Sequence, residues 1–334
     1  MQEIPIRRLV LEKIRKWRWG KHRWILLALI ILSVVGVNLI APVQPHIQVA
    51  AENLSAEPLF TLPVLGDFYL TNTFLAMLLM DVVIILLALG VRNAAKKNEL
   101  APKGIGGVFE MLIEMLYNLT ESTAGKFAGK IFPWFASILI IVLFANLLKL
   151  IPGFETIGLL HHTEHGYVAQ ALGGNWYTVT NQQAADGGYM VTPFFRGLST
   201  DLNFTLAVAL ISVFMTQVIG VGAQGFRYFG KFVNVSTMFK KPFFGFMDFL
   251  VGLLETISEF SKILSFTFRL FGNMFAGMVL IALIGVMVPI FVPSMIMMFE
   301  LFIGLIQAFV FGMLTMVFMA QATQGHGAEE EHSS

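Results

Sequence analysis

One stretch of this chain carries side chains that hydrocarbon rejects. Residues 255–273 read ETISEFSKILSFTFRLFGN and hold Glu255, Glu259, Lys262, Arg269 and Asn273 among apolar neighbours. An ionised group at mid-bilayer costs about 2.5–3.5 kcal/mol on insertion scales, so such residues mark ion pathways or enforced pairs. At about 100° per residue, Glu259 lies about 40° to one side of Glu255, Lys262 and Arg269 lie about 20° and 40° to the other, and Asn273 returns to about 0°. Ser258 and Ser265 flank this face. The rise from Glu255 to Arg269 is about 21 Å, so carboxylates at one end lead to a single deep guanidinium. A second apolar stretch, 294–321, carries Glu300 and Gln307, seven residues and about 20° apart on one face. Titratable groups at two depths on two neighbouring helices are the layout of a proton or ion path with two separate openings. The simpler reading is an intramembrane ion pair of Arg269 with Glu300 or with a carboxylate on another span. Glu259 and Lys262 lie closer to the helix end, where snorkelling is the bland alternative to a place on the path.

The elements that must position these groups are membrane helices. Of 334 residues, 56% are hydrophobic and 13% charged, about half the charge of a soluble domain. With no Cys, cysteine nucleophiles, Cys-ligated zinc and a disulfide scaffold are excluded, and a net charge of +1 excludes a nucleic-acid binder driven by bulk charge. The expected fold is an all-α polytopic membrane protein with about six transmembrane helices. The spans are 24–41, 71–91, 134–151, 202–224, 246–287 and 294–321, the last two forming a long antiparallel hairpin. Within 105–131 the apolar residues recur at three and four between Glu110, Glu114 and Glu121, which predicts an amphipathic helix at the interface. No ten-residue alternating segments repeat as a membrane barrel requires.

Lys and Arg set the orientation. Residues 1–23, 92–130 and 227–241 hold 18 of the 22 basic residues, all on one side of a six-span zigzag. That side is the cytoplasm, with both termini there if the first span is retained. The exceptions are Lys149, Arg196, Lys262 and Arg269. The length of the first span favours a retained anchor; a signal peptide cleaved near Val49-Ala50-Ala51 is the other reading. The chain divides into an N-terminal segment 1–70, a membrane domain 71–324 and a disordered acidic tail 325–334. The loop 152–200 is long for a connection and is expected to fold over the outer face. Its His161, His162, Glu164 and His165 read as a solvated cluster, with no helix to align them on a metal. Gly104-Ile105-Gly106-Gly107 follows no strand and there is no P-loop, so no direct nucleotide contact is expected.

Four segments together resemble subunit a of F-type ATP synthases: FPWFASILIIVLFANLLKLIPG at 132–153, STDLNFTL at 199–206, SFTFRLFGNMFAG at 265–277 and IQAFVFGMLTMVF at 306–318. They occur in the family's order and cover roughly 70–330. The resemblance implies a stator subunit in the cell (plasma or inner) membrane that gives the carboxylates of a rotating c-ring two offset half-channels. Its partners would be that ring, the subunit b peripheral stalk, the rest of the complex and the lipid bilayer. No cofactor and no nucleic acid are implied. It is not an enzyme on its own. Arg269 matches the family's ring-facing essential arginine and Asn273 the motif asparagine. Glu255 stands at the carboxylate of the cytoplasmic half-channel, beside Glu259 and Ser265. Glu300, seven before the matching glutamine Gln307, stands in the outer half-channel. The family's partner position nine after the arginine is Met278 here, which leaves the outer channel to Glu300, with support from Asp201, Asn203 or the outer loop. Lys149 stands where an acid can occur, and snorkelling is its expected role. A self-contained ion-coupled secondary transporter is the alternative; it calls for inverted repeats and paired helix breaks, and neither is visible. A scaffold with no transport role would leave the polar stripe without a purpose.

Overall fold

The computed structural model describes residues 48–55, 57–63, 66–95, 105–151, 153–164, 166–184, 187–232, 242–288 and 291–324, with isolated positions in 24–35. The basic segment 1–23, most of the first span and the tail 325–334 lie outside the described residues.

A small hairpin, β1 (Phe60–Leu62) and β2 (Gly66–Phe68), precedes the helices and stacks Phe60 on Phe68 at 4.6 Å. The first helix is α1 (Asn72–Ala95), begun by Thr71, whose hydroxyl accepts from the Phe74 N–H at 3.2 Å. Next come α2 (Ile105–Ala124) and, after one short turn, α3 (Ala128–Leu148). After the outer loop come α4 (Leu202–Gln224), α5 (Pro242–Met287) and α6 (Phe291–Thr323). Five stretches among the described residues are long and apolar enough to cross a membrane: Asn72–Asn93, Gly107–Leu148, Leu202–Gly230, Phe249–Met287 and Val292–Thr323. The chain is thus a mostly helical, multi-pass membrane protein. The expected span at 134–151 starts earlier, at Ala128, and the amphipathic stretch ends at Ala124 rather than 131, because 125–127 form a separate 3₁₀ turn. That amphipathic helix packs Leu116 with Ile131, Phe135, Met316 and Met319 of α3 and α6, and its Thr120 is fully buried.

The loop between α3 and α4 departs further from expectation. Its residues form a four-stranded antiparallel sheet in the order β3 (Gly158–Thr163), β6 (Gly188–Pro193), β4 (Tyr167–Gly173), β5 (Trp176–Gln183). Gly173 and Gly174, at φ 125° and 61°, turn β4 into β5 with a backbone that side-chain-bearing residues resist. The His cluster is therefore divided: His161 and His162 are neighbours on one strand and point to opposite faces, and His162 meets Tyr189 edge-on at 5.6 Å. His165 lies outside the described residues, and no group of three metal-ligating side chains forms among those described.

The helical core is built around α3 and α6. On α6, Gly304 and Gly312 face α3; a Cβ at 304 would stand 3.2 Å from the Asn146 Cβ, and one at 312 would stand 3.0 Å from the Leu139 Cβ. Small residues eight apart let two membrane helices close on each other where hydrophobic exclusion offers no drive. Asn146 Nδ2 donates to the Gly304 carbonyl at 3.0 Å across this contact. Phe266 of α5 and Phe311 of α6 meet at 4.8 Å, and Ser212 of α4 bonds Thr315 of α6 at 2.7 Å. At one end of the bundle Gln224 Nε2 donates to the carbonyls of Ala322 and Gln324. At the other end lie the sheet, the 48–55 segment and the start of α6.

Candidate functional site

The functional groups line α5 at three levels, and α6 and α3 supply partners at two of them. Toward the end where α4 and α6 finish, Glu259 is buried and accepts from Lys262 Nζ at 3.0 Å, one helical turn on. The Lys262 ammonium stands 4.8 Å from the Phe318 ring centroid, a cation–π contact that holds it inside rather than at the surface. Glu255 lies a further turn along α5, partly exposed. The pair and the ring contact go against simple snorkelling of Lys262.

The middle level holds Arg269. Its Nη2 donates to Ser265 Oγ at 3.2 Å; Ser265 is exposed and Arg269 is partly so, at the border between the α6 contact and an open face of α5. Leu264 and Phe268 on this face are 55% and 57% exposed, and Leu270, round the helix, is fully buried. Among the described residues no carboxylate lies within ion-pair reach of Arg269. The alternative reading, an Arg269–Glu300 ion pair, is therefore not what forms; Glu300 pairs elsewhere. One turn on, the exposed Asn273 donates from Nδ2 to Gln307 Oε1 at 2.7 Å. Gln307 is buried, and its Nε2 has no acceptor among the described residues. This bond joins Gln307 of α6 to Asn273 of α5.

The third level rests on Lys149, which basic-residue sidedness left unexplained. Lys149, just past the end of α3, points inward and pairs with Glu300 Oε1 at 2.9 Å; the two side chains are 4% and 5% exposed. Its Nζ also donates to the Met274 carbonyl of α5 at 3.2 Å. Snorkelling of Lys149 is thus overturned. Glu300 explains why: it is the buried anion that captures this cation, in place of Arg269. Glu300 lies directly over Gly277, where a Cβ would fall on the carboxylate. Met278, the next residue, brings no titratable group.

Two further charges close this level. Glu155 Oε1 accepts from the Gly197 N–H at 2.9 Å. Burial pushes the Glu155 carboxyl above the usual carboxylate range, against the lowering by that N–H and by the Lys149 and Arg196 cations; the Glu300 charge adds to the rise. Arg196 is buried and donates to the carbonyls of Ala50, at 2.6 Å, and Gln48, so the 48–50 segment is tied over the cluster. Glu155 and the roles of Lys149 and Arg196 escaped sequence reasoning. The available signal was that both cations broke the basic-side rule. Of Asp201 and Asn203, named as outer support, the Asp201 carboxylate caps α4 by accepting from the Asn203 N–H at 2.9 Å, and Asn203 is exposed.

The close seat of Glu300 on Gly277 makes a direct prediction. Gly277→Ala is expected to push Glu300 off Lys149 and to destabilise by about 1–3 kcal/mol, the usual range for overpacking. Thermal unfolding in detergent checks this, and Glu300→Asp, shorter by one methylene, should recover part of the loss. Unchanged unfolding of Gly277→Ala would show that Glu300 does not need this seat.

Comparison with known proteins bears on the whole arrangement. The family model described as ATP synthase A chain matches residues 74–320. A protein named ATP synthase subunit a from Moorella thermoacetica is 28% identical over 245 residues, 73% of this chain and 88% of its own length. One of the same name from Helicobacter pylori is 29% identical over 271 residues, 78% of this chain and 97% of its own length. Another, from Syntrophobacter fumaroxidans, is 30% identical over 264 residues, covering 78% and 87% respectively.

Proposed function

The chain belongs to the ATP synthase A chain family, and from that premise we propose that it is the stator subunit that passes protons to and from the carboxylates of a rotating c-ring through two offset half-channels. As a member of this family it is a membrane channel subunit of an ATP synthase and not itself the catalyst. The observation that carries the finer reading is Arg269: a partly exposed cation bordering an open apolar face of α5, with no carboxylate among the described residues in ion-pair reach. A guanidinium at membrane depth requires an anion. A ring carboxylate moving past α5 supplies it.

The chemistry follows from charge in low dielectric. A ring carboxylate travelling through lipid is protonated, because its ionised form is costly there. Opposite Arg269 the ionised form is favoured, so the proton leaves. Glu255 and Glu259, with Ser265 beside them, form the path on the side of the basic loops, which is the cytoplasmic side under the positive-inside rule. Glu300, Gln307 and Asn273 form the outer path. The unsatisfied Gln307 Nε2 offers a donor to the group that arrives there. Arg269 holds its charge at any working pH and cannot relay a proton, so it separates the two paths. Each proton brings about 2.3 kcal/mol per 100 mV of membrane potential. The ring, the subunit b stalk and the remaining complex are the partners in this reading.

The absence of Cys makes the ring-facing assignment directly testable. A single Cys at Phe268 or Leu264 is expected to form a disulfide with a Cys placed beside the ring carboxylate. A Cys at the fully buried Leu270 is not. Equal crosslinking at all three positions, or crosslinking at Leu270 alone, would remove the ring from this face.

A further inference from the structure

Four charges meet at the outer end of the bundle: Lys149, Glu155, Arg196 and Glu300. Lys149 pairs with Glu300 at 2.9 Å, and its field also acts on Glu155. A Cβ built at Gly197 would stand 3.1 Å from the Lys149 Cβ and 3.2 Å from Glu155 Oε1, so this one glycine is flanked by both side chains. Arg196, next in sequence, is committed to the Ala50 and Gln48 carbonyls. Glu300 is almost fully buried, whereas Glu155 retains exposed area. One cation thus serves two carboxylates, a deep one and one nearer the surface.

With Glu300 taken as the outer-channel group proposed above, we propose that Glu155 is the proton-collecting residue at the outer mouth and that Lys149 is the positioning cation that makes its transfer to Glu300 charge-neutral. Before transfer Glu155 carries the proton and Lys149 neutralises the Glu300 carboxylate. The proton leaves the Glu155 oxygen for a Glu300 oxygen, and Lys149 then neutralises Glu155. The trio has the same net charge before and after, so no uncompensated charge is created in a poorly solvated place. The upward displacement of Glu155 agrees with its holding the proton first. Glu155 therefore fills the gap left by Met278: the outer channel has a second acid, contributed by the loop after α3 instead of by α5.

The test uses the complete complex in vesicles, with proton-driven ATP synthesis followed as the outer pH is varied and the amount of assembled complex measured in parallel. Glu155→Gln is expected to lower the rate about tenfold or more and to move the alkaline limb of the outer-pH profile to lower pH, since Glu300 must then be protonated directly against Lys149. Lys149→Arg should keep most of the rate and Lys149→Gln should lose it. The double variant Glu155→Gln/Lys149→Gln should fall no further than the worse single one, because both act in one step. An unchanged outer-pH profile in Glu155→Gln overturns the proposal, and this variant alone decides if the Lys149 variants fail to assemble. Arg269→Ala in the same vesicles keeps the two readings apart. If it is inactive while Glu155→Gln is normal, only this relay is lost; if it is active, the channel assignment itself fails.

Discussion

Arg269→Ala is expected to abolish coupled ATP synthesis and ATP-driven proton pumping while the complex still assembles. Loss of a preorganised charge at the reacting group costs on the order of 10²–10³ in rate, and here the same charge also separates the two paths, so activity should fall to background. Assembly should survive because, among the described residues, the partly exposed Arg269 bonds only Ser265, at 3.2 Å. Removal of a side chain so placed is usually within about 0.5 kcal/mol of neutral. Arg269→Lys should also be strongly impaired, since a desolvated ammonium can lose its proton and a guanidinium cannot. Vesicles with acidification read by a pH-sensitive dye provide the measurement. Normal pumping by Arg269→Ala with intact complex would show that the stripe on α5 is structural.

Glu300→Gln should produce the second large effect, of a different kind. It removes the titratable group and leaves the Lys149 ammonium buried against the Met274 carbonyl, with Glu155 as the remaining anion of the cluster. Breaking a buried pair from one side typically costs about 3–5 kcal/mol, so less complex should accumulate. Proton-driven turnover per assembled complex should also fall by about 10² or more. The variant Glu300→Gln/Lys149→Met separates the two losses. Replacing both charges with uncharged groups of similar size is often neutral or better, so assembly should return while transport does not. If the double variant regained transport, Glu300 would be a packing residue and the outer path would run elsewhere.

Much of this architecture was legible in the residue order. Apolar runs of bilayer length marked α1, α4, α5 and α6 to within a few residues, because a membrane helix must satisfy its backbone internally and its length is set by the hydrocarbon. The stripe on α5 was legible for a related reason. Charged residues that hydrocarbon penalises stand out against 56% hydrophobic composition, and helical spacing places them on one face. The sheet in 158–193 was less legible, since its polar and Gly-rich strands are short and solvent-facing and carry no strong alternation.

What the order of residues could determine by itself was the set of charges on one helix and its neighbour, since local periodicity fixes which residues share a face. It could not determine which opposite charges pair across helices. Arg269 and Glu300 are the obvious couple on hydropathy alone. Tertiary packing instead brings Lys149, 151 positions away in sequence, against Glu300 and leaves Arg269 open to a partner. The reason is steric and electrostatic together. Gly304 and Gly312 draw α3 against α6, which sets the Lys149 cation over the buried carboxylate, and a desolvated ion takes the counter-ion that packing delivers to it.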